Sequence, residues 1–164
     1  MKSAAVFILL FFTVTALSAQ QEFKSPEDLK AWLPAEIAGY AEDADNHASE
    51  QQLQGKLYFI AAKQYKKSQE AISIVIIDYR TSVQVITSVT SAWEDGKEVN
   101  NELIQSKNIT IGNNKAKEIY DKKNNSSQLY VYHNDQYLIT VSMKGDYMDL
   151  LKQVITNLPF SRLP

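Results

Sequence analysis

The run Glu42-Asp43-Ala44-Asp45-Asn46-His47 gathers four side-chain oxygen donors and an imidazole within six positions. Hard cations take carboxylates and transition metals prefer imidazole, so Asp43, Asp45 and His47 are candidate metal ligands. Alternation along an extended chain puts these three on one side. The spacing fits no known loop. A calcium hand starting at Asp43 lacks its turn glycine, with Ala48 in that place, and ends on Gln54 instead of a bidentate acid. A solvated edge strand, using its charges to discourage pairing, explains the same residues.

Other chemistries find less to work with. The chain has no cysteine and no Gly-x-Ser-x-Gly turn, and nucleophilic catalysis needs a nucleophile beside a base. His133 is the second of only two histidines and sits beside Asn134-Asp135, where an exposed strand-end residue is the ordinary reading. The five glycines never form a phosphate-cradling run. A carboxylate pair for hydrolysis is defined in space, and nothing in the spacing singles one out. Nine tyrosines suit a sugar- or peptide-binding face, but strands are rich in tyrosine in any case. The pattern names no catalytic residue and no cofactor.

The N-terminus carries an address. Met1-Lys2 is basic, Ala4 to Leu17 is apolar except for Thr13 and Thr15, and Ser18-Ala19 precedes a polar start. That is the pattern of a secretory signal peptide over residues 1–19, cleaved after Ala19. A stretch of fourteen residues falls short of the roughly 20 that span a bilayer. Leu17 at the −3 position departs from the pattern and keeps an uncleaved anchor as the alternative. Cleavage implies a periplasmic or secreted protein with no membrane insertion and, lacking cysteine, no disulfides. Losing Lys2 turns the formal charge of −2 into −3, which argues against nucleic acid, whose affinity rests on clustered cations. Three Asn-x-Ser/Thr triplets (at Asn108, Asn124 and Asn125) match a glycosylation acceptor; the style of the leader points to a bacterium, where that pattern carries no meaning.

From about Phe23 to residue 164 one α+β domain is expected. Ser25-Pro26-Glu27-Asp28 starts a helix that Pro34 ends. Lys56 to Lys66 and Ala71 to Tyr79 read as strands, the second apolar on both sides. Thr81 to Glu94 carries a helical stripe of Val85, Ile86, Val89, Ala92 and Trp93; its length and the Asp95-Gly96 stop favour helix over strand. Four strands follow, at 103–111, 115–121, 128–133 and 136–143, the last two joined by a two-residue Asn134-Asp135 hairpin. That hairpin puts Tyr130, Tyr132, Tyr137, Ile139, Val141 and Met143 on one face, and Leu129, Val131 and Leu138 on the other. Asp146 then caps a final helix. Apolar residues on both sides of the sheet predict an antiparallel sheet of about six strands with helices on both faces, an α/β/α sandwich.

The paired strands at 56–66 and 71–79, the helix with Trp93, the four-strand meander and the closing helix into Leu158-Pro159-Phe160 resemble the PsbP/DcrB-like group of small exported domains. The Leu33-Pro34…Gly39-Tyr40 opening resembles that of small bacterial secreted proteins. The first likeness rests on element order over most of the chain. It implies a sandwich fold and an accessory or envelope role, and it transfers no functional residue. The expected function is an exported, non-catalytic binding module of the bacterial envelope, engaging another protein or a small ligand through a sheet edge or a groove beside a helix. A small carboxylate-based periplasmic hydrolase and a metal-binding carrier are the alternatives.

Overall fold

Ser25 opens the first helix as its sequence predicts. Its hydroxyl accepts from the Asp28 amide at 3.2 Å while Asp28 accepts from the Ser25 amide, a reciprocal cap over α1 (Pro26–Trp32). The structure, a computed structural model, describes residues 23–37, 39–53, 55–93 and 96–164. The signal peptide expected at 1–19 lies outside them.

After α1 come β1 (Glu36–Ile37), β2 (Tyr40–Glu42), β3 (His47–Leu53), β4 (Lys56–Lys67) and β5 (Glu70–Asp78). Then follow α2 (Val83–Thr90), β6 (Glu98–Asn100), β7 (Ile104–Ile111), β8 (Asn114–Asp121), β9 (Ser126–His133), β10 (Tyr137–Lys144) and α3 (Met148–Thr156). A 3-10 turn at Phe160–Arg162 closes the chain. The described strands form one antiparallel sheet in the order β1-β2-β4-β5-β10-β9-β8-β7-β6, with β3 pairing β4 beside β2. No described helix is long and apolar enough to cross a membrane.

The six-strand sandwich is therefore corrected: ten strands make a single sheet with three short helices, and the helices do not layer both faces. Four short or polar strands escape the sequence reading, namely β1, β2, β3 and β6. The helix over 81–94 is present but shorter, as α2. Asp146 does not cap α3, whose N-cap is Tyr147.

The faces follow from register. Tyr137 stands opposite His133, Ile139 opposite Val131 and Val141 opposite Leu129. The connection therefore holds three residues, 134–136, with Asn134 and Asp135 at φ 50° and 56°. A two-residue hairpin pairs Tyr137 with Tyr132, and the single extra residue flips β9 relative to that expectation. Tyr130 and Tyr132 share a face with Leu138 and Thr140, not with Tyr137.

Face one carries Ala61, Ile72, Ile74, Ile76, Ile139, Val141, Leu129 and Val131, all fully buried. Leu29, Trp32 and Leu33 of the α1 region and Leu151, Val154 and Ile155 of α3 cover it, with Leu158 and Leu163 of the tail. Face two meets α2 and the following Trp93 at one end, through Thr87 beside Tyr132 (3.4 Å) and Trp93 edge-on to Tyr130 (6.4 Å). Over β4, β5 and β10 its Ile60, Ala62, Val75, Ile77 and Leu138 remain half-buried. The apolar outer residues that predict a second layer of helices are there; that layer is not.

Candidate functional site

The acidic segment is a turn, not an extended chain. The Asn46 amide donates to the Ala44 carbonyl (2.9 Å), and the Asp43 amide donates to Gln64 on β4 (2.8 Å). Its side chains diverge accordingly. Asp43 pairs with Lys66, and that contact, helped by the Ala44 amide, holds its carboxyl below the usual range. Glu42 reaches Lys63 at 2.9 Å on the covered face. Asp45 accepts from Gln64 Nε2 at 3.4 Å, and His47 opens β3 opposite Ala62, exposed. Among the described residues no three His, Asp or Glu side chains gather where they could hold a metal.

His133 points into the covered face. Its Nδ1 lies 2.9 Å from Asn114 Oδ1, its ring is 4.9 Å from Phe160, and its Nε2 is buried with no hydrogen-bond partner. Burial pushes its pKa down. The hydrogen bond goes to an amide, not to a nucleophile, so the position is built for packing.

A buried ion pair went unforeseen. Asp78 is 4 % exposed at the end of β5, and Arg80 Nε lies 3.0 and 2.9 Å from its two oxygens. The guanidinium also sits over the rings of Phe23 (5.6 Å) and Tyr137 (5.9 Å) and donates to the Phe23 carbonyl at 3.3 Å. A hollow of about 220 Å³ beside it is walled by Leu57, Tyr58, Phe59 and Thr81. Asp78 neutralises the cation, so this cluster clamps the segment before α1 to the sheet end. The only sequence trace is Asp-Tyr-Arg at a strand end, which is too short to read.

The tyrosines do not form one binding face. Tyr40, Tyr65 and Tyr137 are buried on the covered side, Tyr58 and Tyr79 stack on each other at 5.6 Å, and Tyr130 and Tyr132 lie beneath α2 and Trp93. Tyr40 donates to Glu70 at 2.7 Å, which raises its pKa to about 12.

Two surfaces remain. A groove of about 300 Å³ runs between Pro34 and Ile37 on one side and Leu150, Val154 and Leu158 on the other. The open sheet face is broader, and its residues lie in rows across β4, β5, β10 and β9. One row is Ile60-Ile77-Leu138, ending at Tyr132 beneath α2, the next Ala62-Val75-Thr140, ending at Tyr130 beside Trp93, the third Gln64-Ser73-Ser142-Gln128. Apolar side chains thus give way to small polar ones along the strands. The polar end holds a shallow hollow of about 230 Å³. Such a graded surface can bury an apolar patch and hydrogen-bond its border, which is the anatomy of a protein-binding face.

No protein-family model matches the sequence, and neither does any curated protein or solved structure.

Proposed function

We propose that the chain is an exported, non-catalytic binding module of the bacterial envelope that engages a partner protein with the open face of its sheet. One observation carries this reading: Ile60, Ala62, Val75, Ile77 and Leu138 form a contiguous apolar field, half-buried, opposite the part of the sheet whose other face packs under α1 and α3. Contiguous apolar surface of this kind marks an interaction site in a protein that stays in water. The border of Gln64, Ser73, Ser142 and Gln128 supplies hydrogen-bonding groups at the rim. The acids argue for binding over hydrolysis. Glu42, Asp43, Asp78 and Glu118 are each engaged in an ion pair instead of being presented together to a substrate.

The test is site-specific photocrosslinking in the native host. A photoreactive residue replaces Val75 in one variant and Asp149, exposed on α3, in another. The reading expects one discrete adduct from position 75 and none from 149. Adducts of equal yield from both positions, or none from 75, contradict it.

A further inference from the structure

The two ends of the sheet are unequally protected. β6 is three residues long, and its Glu98 pairs with Lys107 of the strand beside it. A short, charged strand is one way to keep a sheet edge from recruiting another chain. β3 is longer and carries a single formal charge, Glu50. It runs seven residues in unbroken register, from His47 opposite Ala62 to Leu53 opposite Lys56, without bulge, proline or lysine. Its inner side pairs with β4, and no backbone hydrogen bond from another described segment reaches its outer side. Its row of N–H and C=O groups is a template for one more strand.

Charge says what kind of strand. Glu50, in the middle of β3, is exposed and shares a face with Ala48 and Gln52, while His47, Ser49 and Gln51 point the other way. Among the described residues neither Glu50 nor Asp45 makes an ion pair, although Glu42 and Asp43 beside them do. A second copy pairing antiparallel about the middle of β3 would set Glu50 against Glu50, and like charges directly opposite repel. A foreign segment with a cation at that place gains instead.

We propose that β3 takes an extended segment of another protein as an added strand, with a lysine or arginine of that segment opposite Glu50. This edge is separate from the open face, so the failure of either leaves the other standing.

The test uses the mature chain and three synthetic peptides. One is Thr-Val-Thr-Lys-Thr-Val-Thr, the second carries Glu in place of Lys, and the third is the Lys peptide with alternate amides N-methylated. Fluorescence anisotropy should show the Lys peptide binding about tenfold tighter than the Glu peptide. N-methylation should abolish binding, because backbone pairing holds the segment. Hydrogen exchange should slow at residues 47–53 and not at 98–100. Glu50→Lys, an exposed change that leaves the fold intact, should reverse the preference. The proposal is overturned by no binding, by binding indifferent to N-methylation, by an unchanged preference in Glu50→Lys, or by protection elsewhere. A dimer of the free chain in sedimentation velocity that disperses in Glu50→Lys overturns it as well, assigning the edge to a second copy.

Discussion

The ammonium of Lys63 lies 2.9 Å from Glu42 Oε2 on the covered face of the sheet, 3.4 Å from the carbonyls of Leu33 and Pro34. A lysine only 8 % exposed is costly unless paired, and here one cation ties β4 to β2 and to the end of α1. Lys63→Met should lower stability by about 2 kcal/mol, because three acceptors lose their donor. Glu42→Gln should cost about half that, roughly 1 kcal/mol, since the glutamine oxygen can still accept from Lys63 and the Leu33 and Pro34 carbonyls remain its partners. Urea unfolding of both variants and the double variant checks this. A Lys63→Met protein as stable as its parent would show that the ammonium holds nothing together.

Gly145 is the joint between the sheet and α3. Its φ is +105°, and a β-carbon there would strike the ring of Tyr147. Ser127, fully buried on β9, fastens the same joint, donating to the Gly145 carbonyl at 2.8 Å and accepting from the Tyr147 amide at 3.0 Å. Gly145→Ala should therefore destabilise by about 2–3 kcal/mol, from left-handed strain plus the clash. Combining it with Tyr147→Ala should recover the clash but not the strain. Thermal unfolding of the two singles and the double separates these parts; an undiminished loss in the double would place the whole cost in the backbone.

His133 gives stability a slope with pH. Burial holds its pKa below the ordinary 6.5, and its ring faces Asn114, Tyr137 and Phe160, none of them a charge that would favour the imidazolium. The unfolded chain takes a proton more readily than the folded one, so stability rises with pH across this window. The neutral-imidazole contribution is complete above pH 6.5 and is lost as pH falls from there through the folded pKa. Asp43, with a carboxyl held below 3.8, adds its own loss only in more acidic solution. His133→Gln should flatten the slope just below pH 6.5 in urea midpoints measured across the range. A slope unaltered by the substitution would assign it to other groups.

The long strands were legible because β-branched runs such as Ala71 to Tyr79 have one good fate, and the Ser25-Pro26 cap announces its helix. The hairpin register was not. Asn134-Asp135 advertises positive φ, but whether Gln136 belongs to loop or strand depends on which face of β9 the core claims. Leu129 and Val131 win that contest over Tyr130 and Tyr132, and α2 covers the tyrosines instead. The polar strand β3 has no local signature, since Ser49, Glu50, Gln51 and Gln52 become a strand by pairing with the stronger β4. The inference of a second helical layer failed for a related reason. Apolar residues on both sides of Ala71 to Tyr79 say that both sides prefer to leave water, not that this chain supplies the cover. The metal reading failed on backbone geometry: the Asn46–Ala44 hydrogen bond bends the segment that alternation needs straight.

The most direct measurement uses the absence of native cysteine. In Val75→Cys the new thiol lies on the open face, and in Asp149→Cys it lies on the outer side of α3. Labelling with a small maleimide, in purified protein and in intact cells, compares the two sites. The account predicts that both thiols react in purified protein, and that in cells position 75 is protected while position 149 is not. Equal labelling of position 75 in both settings would mean that nothing covers the face where the protein works. Resistance at position 75 in the purified protein would mean that the face is not open.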